Sequence, residues 1–150
     1  MPGTYSQILL HVVFSTKNRA RLIDSALAEQ LHAYIGGIVR AEKGMPYAIG
    51  GVEDHVHLYL RWRTDRAIAD LVRTLKSRSS KWVHEKFPRL RRYAWQEGYA
   101  AFSVSKSQEP AVKQYIATQA EHHKKAEFKS ELLRLLRAHG IDFDERYVFD

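Results

Sequence analysis

The chain has 150 residues, 45% of them hydrophobic, a formal charge of +7 and a pI near 9.7, which suits one domain (residues 1–150) with a real hydrophobic core. It contains no cysteine, which excludes disulfides and thiolate metal sites and points to a reducing, cytoplasmic setting. No signal-peptide pattern opens the sequence and no apolar run approaches the roughly 20 residues of a membrane helix, so the basic balance directs attention to an anionic partner, nucleic acid first.

Taken in chain order, residues 5–14 (YSQILLHVVF) are apolar and β-branched and predict a buried strand. Residues 24–43 follow with Leu27, Leu31, Tyr34, Ile35 and Ile38 at helical spacing. Asp24 or Ser25 can cap that helix, and Gly44 suits its end. Residues 46–52 and 55–62 predict two strands joined by a tight turn at Glu53–Asp54. Thr64 or Asp65 is then placed to cap a helix carrying Ile68, Leu71, Val72, Leu75, Trp82 and Val83 on one side. Residues 99–105 predict a fourth strand. The order β-α-β-β-α-β is that of a ferredoxin-like split βαβ sandwich, an α+β fold with an antiparallel sheet. Two further helices are expected: one from Ser107 through Lys125, with Pro110 in its first turn, and one over 130–139 ending at Gly140.

The segment 61–92 holds eleven Lys or Arg against Asp65, Asp70 and Glu85. Its net of +8 exceeds that of the whole chain, so the charge is a local field and reads as a binding face. On the helix there, Arg73, Lys76, Ser77 and Ser80 share the side roughly opposite the apolar stripe, with Arg78 and Lys81 nearby. These residue types contact phosphate. Trp82, Tyr93, Trp95 and Tyr99 could stack on bases if exposed. Trp82 continues the apolar stripe and is expected in the core.

In the strand 55–62, His55 and His57 alternate with Val56 and Leu58 and point to one face, roughly 6–7 Å apart. That spacing lets two imidazole nitrogens converge on one metal ion. A pair of histidines on a solvated strand face is the commoner meaning of H-x-H, and two ligands alone make a poor site. Tyr115 and Gln119 stack one turn apart on the next helix. A glutamine oxygen can complete a metal shell, and a tyrosine beside it can act as a nucleophile. The same positions, with Val112, Ile116 and His123, also describe an ordinary helix face packed on a sheet. Spacing does not choose between Gln119 and His122 or His123 as a ligand.

The stretches HVVFSTKNR (11–19), IGGVEDHVHL (49–58), LKSRSSKW (75–82), WQEGYAAFSVS (95–105), YIATQAEHHKK (115–125) and HGIDFDERYVFD (139–150) together resemble the single-tyrosine HUH transposases of small bacterial insertion sequences and the related REP-associated tyrosine transposases. The resemblance spans almost the whole chain, and H-x-H followed by Y-x-x-x-Q is specific when both halves occur. It implies that His55 and His57 hold a divalent ion, Mg²⁺ or Mn²⁺, with Gln119 as third ligand. Tyr115 would attack a scissile phosphate in single-stranded DNA, giving a 5′-phosphotyrosine and a free 3′-OH. A second 3′-OH then rejoins the strand. Hairpins near element ends would be recognised by a homodimer, with the tyrosine helix of one subunit completing the site of the other. Asp54 and His122 are candidates for helping the tyrosine ionise from beside the metal site, and Asp54 can equally shape the turn. Two other classes compete: a non-catalytic module that binds hairpin DNA or RNA, and a water-using phosphodiesterase that makes no protein–DNA adduct.

Overall fold

The computed structural model describes residues 3–122 and 127–148. Four strands, β1 (Ile8–Ser15), β2 (Met45–Val52), β3 (His55–Trp62) and β4 (Ala100–Ser103), form one sheet in the order β2-β3-β1-β4. All neighbouring pairs are antiparallel. Helices α1 (Ser25–Ala41) and α2 (Ile68–Lys86) are the two crossovers, which makes the expected ferredoxin-like sandwich. Helices α3 (Glu109–Ala117), α4 (Gln119–His122) and α5 (Phe128–Ala138) follow β4. Among the described residues no helix is long and apolar enough to cross a membrane.

Side-chain alternation gives the sheet two buried faces. Leu10, Val12 and Phe14 of β1, with Val56, Leu58, Leu60 and Trp62 of β3, pack under α1 and α2. The opposite face carries Leu9, Val13, Tyr59 and Phe102, covered by Ile116 of α3 and by Phe128, Leu132, Leu133 and Leu136 of α5. His55 and His57 belong to this second face and are fully buried, so they are not on a solvated surface. The C-terminal helices explain this: an antiparallel sheet can leave one face wet, but α3 and α5 supply a second apolar layer.

Three local expectations are corrected, at the start of α2, the end of α1 and the helix after Ser107, while the expected Asp24 cap is present. Helix α2 starts at Ile68 with Ala67 as N-cap and no side-chain cap, not at Thr64 or Asp65. The Asp65 carboxylate accepts from the Arg63 guanidinium instead, one contact being 2.6 Å. Helix α1 is capped by Asp24, which accepts from the Leu27 N–H at 2.8 Å, and ends through Lys43 in a left-handed conformation (φ 69°) one residue before Gly44. Beyond Ser107 the chain does not run as one helix: a 3₁₀ turn covers Lys106–Gln108, and α3 and α4 meet at Thr118 (φ −107°, ψ 26°). The Thr118 hydroxyl donates to the Gln114 oxygen at 2.9 Å, a back-bond that competes with helix propagation. Pro110 in the first turn of α3 and the left-handed Gly140 (φ 66°) after α5 are where the sequence puts them.

Gly50 sets the height of α3 above the sheet. A Cβ there would stand 2.5 Å from the Ile116 carbonyl oxygen and 2.9 Å from its Cγ2. Because the obstacle is helix backbone, Gly50→Ala must push α3, and Tyr115 with it, off the sheet. We expect a loss of about 1–3 kcal/mol, the usual range for overpacking, in denaturant unfolding. An unchanged midpoint would mean α3 does not rest on β2 in solution.

Candidate metal and nucleophile site

Register brings the site together. His55 faces Ser15, His57 faces Val13 and Tyr59 faces His11 across the β1–β3 ladder, so His11, His55 and His57 share one sheet face. His55 Nδ1 lies 2.7 Å from Asp54 Oδ1, and its Nε2 lies 3.1 Å from Gln119 Oε1. His57 Nε2 lies 2.8 Å from Glu131 Oε1, and its Nδ1 lies 2.7 Å from His11 Nε2. Glu131 Oε1 is also 3.5 Å from His55 Nε2. Phe128 stacks on the His55 ring with centroids 4.2 Å apart. The Tyr115 ring meets His57 edge-on at 5.6 Å and His11 at 6.2 Å. Gln119 Nε2 reaches back to the Tyr115 carbonyl at 3.4 Å, so ligand and nucleophile candidates share one turn.

Electrostatics follow from burial and this pairing. Burial favours neutral His55, but the hydrogen bonds and charges of Asp54 and Glu131 outweigh it and raise its pKa. Burial alone would raise the Glu131 carboxyl. The His55 and His57 rings beside it reverse that and hold it far below the usual carboxylate range, hence ionised. Burial, then the neighbouring Glu131 charge, pushes the Tyr115 hydroxyl above its ordinary value. His11 is pushed down to about 3 by burial and by His57, so its ring is neutral.

His55, His57 and Glu131 offer two nitrogens and a carboxylate oxygen within 4.8 Å of one another. Imidazole and carboxylate are a fitting donor set for a divalent cation. Glu131 is absent from the sequence expectation. Its signal was a lone acid in the apolar stripe of α5, flanked by Phe128 and Leu132 and only 2% exposed. His11 was equally unannounced. Asp54 stands on the outer nitrogen of His55. The His122 side chain, and His123, lie outside the described residues.

The candidate DNA-contacting residues sit elsewhere. Arg73, Ser77, Arg78 and Lys81 are exposed on α2 and Ser80 is half-buried. Arg73 pairs with Asp70 at 2.7 Å. Lys76 departs from the expectation of a free phosphate contact: its ammonium donates to the carbonyls of Gln96, Glu97 and Gly98 at 2.8, 3.1 and 2.6 Å and ties down that loop. Tyr93 and Trp95 are buried and cannot take a base, and Trp82 stacks on Tyr34 at 4.8 Å. Tyr99 is 40% exposed beside a cavity of about 480 Å³ bordered by Arg73, Ser77 and Ser80. A second cavity of about 550 Å³ is bordered by Arg19, Arg21, Glu127 and Lys129 and by Asp54 and Phe128, two residues that touch His55.

A family model described as IS200-like transposase matches residues 4–119, from before β1 through Gln119. The ISDra2 transposase TnpA of Deinococcus radiodurans is 27% identical over 123 residues, covering 78% of this chain and 87% of the relative. A crystal structure of a candidate transposase from Deinococcus radiodurans R1 superposes with TM-score 0.67 at 25% identity, over 79% of this chain and 95% of that one. A REP-associated tyrosine transposase bound to a REP hairpin superposes with TM-score 0.61 at 14% identity, over 100% of this chain and 91% of that one, a likeness of fold. With more than half its length matched by that family model, the chain belongs to the IS200-like transposase family.

Proposed function

We propose that this chain cleaves and rejoins single-stranded DNA at hairpin-marked ends, through a 5′-phosphotyrosine on Tyr115. The observation that carries the reading is the convergence of His55, His57, Gln119 and Glu131 beneath the helix that bears Tyr115. His55 and His57 hold a divalent cation, with oxygens from Gln119 and Glu131 completing the protein's share of its shell. When bound, Mg²⁺ or Mn²⁺ supplies Lewis-acid polarisation of the phosphoryl oxygens. Tyr115 Oη attacks phosphorus. The Oη–P bond forms, the P–O3′ bond breaks, and the tyrosine proton ends on the released 3′ oxygen. Burial, then the Glu131 charge, raises the pKa of that hydroxyl, so its ionisation depends on the positive charge of the bound cation. Asp54 orients His55 through Nδ1, which replaces its alternative role as a base for Tyr115. In the rejoining step a second 3′-OH attacks the phosphotyrosine and Tyr115 leaves.

The basic side of α2 (Arg73, Ser77, Arg78, Ser80 and Lys81) and the histidine pair lie on opposite faces of the sheet. A hairpin held on α2 must therefore pass its single strand around the sheet edge to reach the cavity beside His55. The unit is read as one transposase domain over 1–150 that works as a homodimer. Within one chain Tyr115 already meets its own His57, so exchange of α3 between subunits is not required to assemble the site.

Labelled single-stranded oligonucleotides spanning the DNA around the gene, mixed with the protein and Mn²⁺, test the reading on a denaturing gel. A protein-sized labelled band that vanishes with chelator is expected. Tight hairpin binding with no adduct under any ion would favour the non-catalytic module instead. For the shell, Glu131→Gln is expected to weaken Mn²⁺ binding by about 10–100-fold, because an amide brings no charge to a dication. An unchanged affinity in calorimetry would leave Gln119 as the only oxygen ligand among the described residues.

A further inference from the structure

We propose that His11, on β1, is a positioning residue for the metal site: it is the outer partner that orients the His57 ring. This rests on the reading of His57 as a ligand. A histidine that offers Nε2 to a cation carries its proton on Nδ1, and metal-binding imidazoles almost always give that proton to a fixed acceptor. Carboxylates and main-chain carbonyls are the usual acceptors. Here the group within reach is an imidazole: His11 Nε2 lies 2.7 Å from His57 Nδ1, and both rings are buried.

The placement follows from the sheet. His11 opposes Tyr59 and Val13 opposes His57, so His11 is the diagonal neighbour of His57 on one face of an antiparallel pair. The two rings stack with centroids 5.0 Å apart and planes inclined by 30°. The edge of Tyr115 closes on both rings, at 5.6 Å from His57 and 6.2 Å from His11, while Phe102 packs against His11 at 5.9 Å. The ring of His11 is thus fixed by β4 and α3, and it passes that order to His57. The two ligands are backed differently: His55 by the Asp54 carboxylate, His57 by a neutral ring. A neutral partner directs His57 without adding a second negative charge to a pocket that already holds Glu131.

His11→Phe keeps a ring of similar volume and removes the acceptor. His11→Gln keeps a polar atom near the place of Nε2. Mn²⁺ affinity of the full chain, measured by calorimetry, is expected to fall about 10–100-fold in His11→Phe and to stay within several-fold of the parent in His11→Gln, with both variants melting cooperatively. A second readout needs no metal. Long-range ¹H–¹⁵N NMR of the metal-free parent should show a slowly exchanging ring proton shared between His11 and His57, lost in His11→Phe. Parental Mn²⁺ affinity in a folded His11→Phe, or ring signals of His57 that do not change, would overturn the proposal. If the parent itself binds no Mn²⁺, the metal reading fails, and the NMR comparison still decides whether His11 holds the His57 ring.

Discussion

Tyr115→Phe is expected to bind hairpin DNA as the parent does and to form no covalent link to it, a drop in adduct of at least about three orders of magnitude. The substitution removes one oxygen and leaves the ring that packs against His57 and His11. The fold and the histidine geometry therefore have no reason to change. The chemistry does: a phenyl ring has no nucleophile. Burial and the Glu131 charge raise the pKa of the parental hydroxyl, so its ionisation depends on positive charge brought to the site. Chelator should accordingly silence the parent as completely as the substitution does. Adduct from Tyr115→Phe at the parental level would remove Tyr115 from the reaction.

Loss of His57 should be the most disruptive change to the site itself. His57→Ala removes a proposed ligand and also takes from the buried Glu131 carboxylate its 2.8 Å partner. Leaving a buried carboxylate short of a hydrogen-bond partner costs about 1–3 kcal/mol or more, because its charge stays desolvated. We expect a lower melting temperature, no measurable Mn²⁺ binding and no adduct. The double substitution His57→Ala with Glu131→Gln separates the two effects. It should recover part of the lost stability, since that buried charge is gone, and recover none of the metal binding. A double variant no more stable than His57→Ala would contradict the picture of an ionised Glu131 held by the two rings.

The sequence made the sheet legible because its strands alternate cleanly. Residues 55–62 form β3 with those bounds, and His55 and His57 share a face as period-two spacing requires. Tyr115 and Gln119 were legible as a pair because one helical turn separates them. The rest depended on contacts between distant positions. His11 and Glu131 lie 46 and 74 residues from His57, and only the register of β1 against β3 and the docking of α5 bring them to it. Apolar spacing marked α5 as a helix through Leu132, Leu133 and Leu136, but it could not say that the buried acid among them faces an imidazole. Lys76 shows the converse failure: its position on α2 suggested solvent and phosphate, and the loop 96–98 folds back to take its three donors.

The atom that becomes bonded to DNA decides between the mechanisms. Peptide mapping by mass spectrometry of the Mn²⁺-dependent adduct, after nuclease trimming, measures it directly. A phosphonucleotide on Tyr115 and an unmodified 3′-OH on the released strand are expected. Cleaved DNA with no modified peptide, or a nucleotide on another tyrosine, would contradict attack by Tyr115.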